Sequence, residues 1–169
     1  MNPVLVLCLG NEVLSDDRFG YEIAERLTQV PLSPGSDVQF TSIAGFGLID
    51  LLKNRESVLV VDTILTGKHK PGTIHYFPVG NLIPSNGLIH SHQINLPTAL
   101  EIGRRFGEVM PHNIQVLAVE AQDVTTLSEQ LTPPVADAIE MALERIRQWS
   151  TAASARAPVL QDSGAISLI

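Results

Sequence analysis

The chain has 169 residues, of which 44% are hydrophobic and 17% are charged, and its formal net charge is −7. This length and composition are typical of one globular domain with a substantial core, and they disfavour a disordered chain. The negative charge disfavours a nucleic-acid partner, because an acidic surface repels the phosphate backbone. It also favours a monomer.

No apolar run reaches the roughly 20 residues that a membrane-spanning helix requires, so we expect no membrane partner. The first apolar run is short and follows no basic stretch, which indicates a β-strand and not a secretory signal. One cysteine excludes an intramolecular disulfide and a Cys-x-x-Cys metal site. We therefore expect a cytoplasmic protein.

Apolar runs and turn residues predict strands that alternate with helices. Strands are expected over residues 3–9, 38–41, 57–64, 72–79 and 113–119, and helices after Phe19, over 47–53, near Pro97 and from Pro133. The third and fourth strands are separated by only about eight residues, too few for a parallel crossover, so the fourth is expected to run antiparallel at an edge. The predicted fold class is α/β: a three-layer α/β/α sandwich with a mostly parallel twisted sheet of about five strands and one antiparallel edge strand.

The predicted helices carry apolar side chains at helical spacing. The first has an apolar face made by Phe19, Ile23 and Leu27, and either Ser15 or Asp16 is placed to cap its start. The helix near Pro97 is expected to bury two side chains, Leu100 and Phe106.

The final helix has the clearest pattern. Thr132 is expected to be its N-cap and Pro133 its first residue. Its apolar stripe comprises Val135, Ala138, Ile139, Ala142, Leu143, Ile146 and Trp149. Residues 1–150 are therefore predicted to form the domain, and the Ala-, Ser- and Gly-rich residues 151–169 a mobile tail.

The predicted fold indicates where a ligand binds. In an open α/β sheet, ligands lie beyond the carboxyl ends of the strands, where the strand order reverses. The first and third strands are commonly neighbours at that point, so Asp62 and an acid of the loop 10–17 are expected to face one crevice. Each acid also has a structural interpretation, Asp62 as a turn or helix cap and Asp16 or Asp17 as a cap of the first helix.

His90 and His92 provide a third candidate group, although alternating histidines also suit an ordinary polar loop. Two carboxylates and an imidazole form a ligand set that leaves coordination positions open and suits nickel, zinc, iron or manganese. Nucleophilic catalysis is disfavoured, because Cys8 is expected to be buried in a strand and Ser91 lacks a Gly-x-Ser-x-Gly context. The loop 10–17 also lacks the glycine spacing of nucleotide-binding motifs.

Four segments, in order along the chain, resemble motifs of the nickel–iron hydrogenase maturation endopeptidases, which process the C-terminus of the hydrogenase large subunit. They are residues 9–20 (LGNEVLSDDRFG), 60–63 (VVDT), 91–93 (SHQ) and 131–135 (LTPPV). The resemblance extends over residues 3–150, and the ordered set is more specific than any single motif.

The resemblance implies that Asp17, Asp62 and His92 form the catalytic site and recognise nickel. It also implies that no metal is bound at rest, since the nickel arrives in the large-subunit precursor, from which the enzyme removes a C-terminal extension. Glu12 competes with Asp17 as the first-loop ligand, and helical register favours Asp17. The cleavage step is open between a carbonyl polarised by the metal and a water activated by an acid.

Two positions depart from the family pattern. Arg18 replaces a small residue and predicts a different pocket rim or a contact with an acidic substrate group. Residues 41–45 (TSIAG) replace an acidic segment associated with the choice of hydrogenase. Two other functions fit the same residues: a non-cleaving, metal-dependent checkpoint or chaperone for the precursor, and a different hydrolase on a related fold.

Overall fold

The computed structural model describes residues 2–43, 45–81 and 96–156. The strands are β1 (Val4–Leu9), β2 (Ser36–Thr41), β3 (Ser57–Ile64), β4 (Ile74–Pro78) and β5 (Asn113–Glu120). The α-helices are α1 (Phe19–Gln29), α2 (Gly47–Leu52), α3 (Leu96–Arg105), α4 (Pro133–Asp137) and α5 (Ile139–Arg156), and 3-10 turns span Ser15–Arg18 and Val79–Asn81. The predicted strands are all present, with ends within two residues of the predicted bounds.

The strands form one sheet in the order β2-β1-β3-β5-β4. β1 pairs in parallel with β2 and β3, and β3 pairs in parallel with β5. All six residues of β1 are buried, as a strand covered on both faces requires. β4 is the antiparallel edge strand, as predicted, but its neighbour is β5 and not the preceding strand β3. β5, which comes later in the chain, lies between β3 and β4.

Helices cover both faces of the sheet. α1 and α5 pack on one face, where they bury side chains such as Phe19, Ile23 and Ile146 against the inward residues of β1, β3 and β5. α2 and α3 pack on the other face, around Leu52 and Leu100. Side chains alternate between the two faces of a strand, so each apolar strand serves both cores. The predicted three-layer α/β/α class is confirmed.

The C-terminal helical region differs from the prediction at two points. The apolar stripe is buried as predicted, but the helix is divided at Ala138 into α4 and α5. α5 then continues to Arg156, with Ser150 and Ala153 buried, so the expected tail does not begin at Thr151. The Ser36 hydroxyl of β2 lies 2.7 Å from that of Ser150, which adds a polar contact to this packing. The rest of the predicted tail, residues 157–169, lies outside the described residues.

One predicted core residue is at the surface. Leu100 is buried on α3 as expected, whereas Phe106 is 83% exposed. α3 ends at Arg105, so the residue after it no longer follows the helical period that placed it inside. Among the described residues, no helix is both long and apolar enough to cross a membrane.

Candidate active site

The strand order reverses between β1 and β3, so a crevice is expected beyond the carboxyl ends of these two strands. Asp62 lies there, in the last three residues of β3 and opposite Ala118 of β5. Asp62 is only 3% exposed, and its carboxylate accepts a hydrogen bond from the Thr63 N–H at 2.7 Å. Asp62 is therefore a buried acid in the strand and not a helix cap.

The loop after β1 places Asp17 at the same edge. The backbone N–H of Asn11 donates to the Asp17 carbonyl at 3.1 Å. A Cβ on Gly10 would lie 2.2 Å from that carbonyl, and Gly10 has φ +154°, so only glycine fits this turn. A Cβ on Gly20 would lie 2.2 Å from the Leu9 carbonyl. The two glycines and Asn11 thus let the loop fold back tightly onto the end of β1.

The two acids influence each other. Burial, and to a smaller extent the charge of Asp17, raise the pKa of Asp62 to about 7, against the hydrogen bond from the Thr63 N–H, which lowers it. Asp17 is itself fully buried. Two buried carboxylates that repel each other favour either a shared proton or a cation between them. The structure therefore brings together two of the three predicted site residues.

Asp16 has a different role from the predicted helix cap. Neither the 3-10 turn Ser15–Arg18 nor α1 has a side-chain cap hydrogen bond. The buried Asp16 carboxylate instead accepts backbone N–H bonds from Gln122 at 2.8 Å, Asp123 at 2.9 Å and Thr132 at 2.7 Å, and it also accepts the Thr132 hydroxyl. The sequence motifs at 9–20 and 131–135 meet at this carboxylate.

Besides Asp16 and Asp17, Glu12 and Arg18 are the other two charged residues of the loop after β1. Glu12 is exposed, unlike Asp17. Arg18 is directed back into its own loop: it forms a 2.9 Å ion pair with Glu22, donates to the Glu12 carbonyl and lies 4.9 Å from the centre of the Tyr21 ring. Arg18 therefore supports the rim of the loop through its own neighbours.

The third predicted site residue, His92, lies outside the described residues, as does His90. Within 2–43, 45–81 and 96–156, no three His, Cys, Asp or Glu side chains are grouped so that they could hold a metal ion. Cys8 is buried as expected, and burial together with the charge of Asp62 raises the pKa of its thiol well above the usual range. A protonated, buried thiol is not a nucleophile.

A second fully bonded carboxylate at this edge was not predicted. Glu120, at the end of β5, is 1% exposed and accepts hydrogen bonds from the backbone N–H groups of Thr66 and Gly67 and from the Thr66 hydroxyl. His75 of β4 lies 3.1 Å from it. These hydrogen bonds outweigh burial, so the pKa of Glu120 is lowered. Glu120 fastens the loop after β3, and its partners are too distant in sequence to be recognised there.

The site and fold have known counterparts. A family model described as hydrogenase maturation protease matches residues 42–149. A hydrogenase 2 maturation protease of Escherichia coli (strain K12) is 30% identical over 146 residues, which cover 85% of this chain and 87% of that protein. The chain therefore belongs to the hydrogenase maturation protease family.

Solved structures agree with this assignment. The hydrogenase maturating endopeptidase HybD from E. coli is similar with a TM-score of 0.75 and 28% identity, over 90% of this chain and 94% of that one. A [NiFe] hydrogenase maturation protease HybD from Thermococcus kodakarensis has a TM-score of 0.67 and 23% identity, over 89% and 99% of the two chains, and supports the fold.

Proposed function

We propose that this protein is an endopeptidase that recognises nickel in the precursor of a nickel–iron hydrogenase large subunit and removes the precursor's C-terminal extension. Membership of the hydrogenase maturation protease family supports peptide-bond hydrolysis on such a precursor. The Thermococcus kodakarensis protein is named for a [NiFe] hydrogenase, which supports nickel as the metal that is recognised. We also propose that the protein works as a cytoplasmic monomer.

The observation that carries the proposal is the buried pair Asp17 and Asp62 at the switch point between β1 and β3. Two negative charges in a buried site are unfavourable by themselves, and a divalent cation relieves their repulsion. Carboxylate oxygens and an imidazole nitrogen are suitable ligands for nickel, so His92 would complete the set. The nickel belongs to the substrate, which explains how the metal state of the precursor is sensed.

This arrangement makes recognition depend on the metal. A precursor without nickel brings no cation to the two acids, so the bound state lacks the favourable interaction that a nickel-loaded precursor would add. A precursor with nickel supplies that cation at the edge of the sheet where the peptide must lie.

The test is cleavage of a nickel-loaded precursor by wild-type protein and by Asp17→Asn, Asp62→Asn and His92→Gln. Each substitution removes a proposed ligand with little change in size, and we expect processing to fall by at least about 100-fold. Glu12→Gln is the matched control, since it neutralises an exposed acid of the same loop, and we expect a rate close to wild type.

Three outcomes separate the possibilities. Normal processing by all three ligand variants means that the site assignment is wrong. Loss of activity in Glu12→Gln with a normal rate in Asp17→Asn assigns the first-loop ligand to Glu12. A stable complex of wild-type protein with nickel-loaded, uncut precursor would show the non-cleaving checkpoint instead.

A further inference from the structure

Asp16 and Glu120 are buried carboxylates at the carboxyl edge of the sheet, and each accepts several hydrogen bonds. Asp16 precedes Asp17 directly, and its hydrogen bonds reach residues 106 to 116 positions away. Its backbone N–H also donates to the Asp123 carbonyl at 2.9 Å. One residue thus joins the loop after β1 to the end of β5 and to the start of α4.

The same network reaches Asp62 through Thr63. The Thr63 hydroxyl donates to the Asp16 carbonyl at 3.1 Å, and the Thr63 N–H donates to the Asp62 carboxylate at 2.7 Å. The buried hydrogen bond between Thr63 and Asp16 therefore joins the residue after Asp62 to the residue before Asp17. Thr63 is fully buried, so water does not compete for this bond.

The loop has an intrinsic reason to need this support. Ser15 has φ 29°, a conformation that residues other than glycine seldom adopt. Such a conformation persists only where surrounding contacts hold it. The Ser15 N–H donates to the Ser128 carbonyl at 3.0 Å, and the Asp16 carboxylate fixes the next residue.

We propose that Asp16 is a positioning residue of the active site: through Thr132 and Thr63 it holds Asp17 and Asp62 in a fixed relation to each other. This inference rests on the proposed function of the two acids. The separation and orientation of the two oxygen donors must suit one metal ion, and misplacement by about 1 Å can reduce a rate about 100-fold. The hydrogen bonds that Asp16 accepts from Thr132 and Thr63 meet that requirement, because they fix the residues beside both acids.

The matched control is Glu120→Gln. Glu120 is equally buried and accepts a similar number of hydrogen bonds, but it holds the loop after β3 and has no hydrogen bond to residues 16, 17, 62 or 63 in the described structure. Asp16→Asn and Glu120→Gln both replace a carboxylate oxygen by an N–H donor facing other donors. Both are expected to lower the melting temperature, by about 4–10 °C for a chain of this size.

The deciding readout is the split between kcat and KM for processing of nickel-loaded precursor, measured well below each melting temperature. We expect Asp16→Asn and Thr63→Val to lower kcat by about 10- to 100-fold with little change in KM. Thr63→Ser keeps the hydroxyl and should restore kcat to within about threefold of wild type. Glu120→Gln should lose melting temperature but keep kcat.

The positioning role is refuted if Asp16→Asn and Thr63→Val keep kcat while they lose stability as Glu120→Gln does. If Asp16→Asn does not fold, the pair Thr63→Val and Thr63→Ser decides, because it removes and restores one hydroxyl. Failure of the proposed function has a different signature: Asp17→Asn and Asp62→Asn themselves then process the precursor normally.

Discussion

Asp62 combines burial with a neighbouring negative charge, and this sets a pH dependence of stability. The pKa of Asp62 is about 7 in the folded protein, above its ordinary value of 3.8. Between these values the folded protein binds more protons than the unfolded chain, so stability falls as the pH rises through this window. Ionisation of Asp62, a proposed site residue, thus lowers the free energy of unfolding.

We predict that Asp62→Asn is less active but more stable than wild type at pH 8. The difference in unfolding free energy between the two proteins should change by up to about 1.4 kcal/mol per pH unit between roughly pH 4 and pH 7, and level off above that range. Urea unfolding followed by fluorescence of the single Trp149 measures it.

Asp123→Asn serves as the control for this titration. Hydrogen bonds from Thr126 and Thr125 lower the pKa of Asp123 to about 2, so its contribution is complete above the ordinary value of 3.8 and is lost only as the pH falls toward 2. Its stability difference from wild type should be constant from pH 5 to pH 8. An Asp62→Asn difference that is equally constant would contradict the raised pKa.

The sequence contains enough information to predict Asp62 but not the role of Asp16. Asp62 ends an apolar run, and the position of such a run in a parallel sheet indicates the ligand-binding edge. Asp16 precedes a helix, and local chemistry therefore favours a cap. The partners of its carboxylate, including Thr132, are more than 100 residues away, and only the packed fold brings them together. Local rules cannot weigh such contacts.

At the scale of elements, the close approach of α1 to β1 depends on Gly20. A Cβ there would lie 2.2 Å from the Leu9 carbonyl oxygen. The nearest atoms all belong to the Leu9 backbone, so no flexible side chain can move aside to make room. We predict that Gly20→Ala lowers the free energy of unfolding by about 1–3 kcal/mol and reduces processing, because α1 must move together with the loop that holds Asp17. Thermal unfolding and the processing assay measure the two effects.

Gly80→Ala is the appropriate comparison for Gly20→Ala. Gly80 lies in the 3-10 turn Val79–Asn81, and an added Cβ there meets no heavy atom within 4 Å. We expect its stability to stay within about 0.5 kcal/mol of wild type. Equal losses in the two variants would mean that the helix–strand approach at Gly20 is not the cause.

The end of α5 is part of the domain, contrary to the predicted boundary at residue 150. Ala153 is buried, and the Ser36 hydroxyl lies between those of Ser150 and Ser154 at 2.7 and 3.2 Å. We predict that a chain ending at Ser150 is about 1–3 kcal/mol less stable than one ending at Arg156. Equal urea midpoints for the two chains would restore the original boundary.

This boundary was misplaced for a physical reason. Residues 151–156 (TAASAR) have small side chains, so they show no apolar periodicity, although alanine favours helix strongly. Small residues also permit close packing of a helix against a sheet, which a search for large apolar side chains does not detect. Phe106 is the opposite case: its size suggested burial, but it follows the end of α3.

For the whole molecule, the sheet order could be predicted only in part. The short connection correctly placed β4 at an edge in antiparallel direction. It could not indicate that β5 lies between β3 and β4, because the length of that connection carries no information about a strand that comes later in the chain. The switch point between the neighbouring strands β1 and β3 was nevertheless predicted, and it is present.

The arrangement of the whole site leads to a prediction about metal removal. The proposed nickel is carried by the precursor and not by the resting protease. Treating the protease with a chelator, and then removing the chelator, should leave processing of nickel-loaded precursor unchanged. A precursor that is treated with the chelator before nickel insertion should not be processed. The measurement is the fraction of precursor cut in a four-way exchange of treated and untreated partners.

The exchange separates two ways in which a cation can reach Asp17 and Asp62. If the buried acids held a resident metal, chelation of the protease alone would lower the rate, and metal added back to the protease would restore it. If the substrate brings the metal, only the state of the precursor matters.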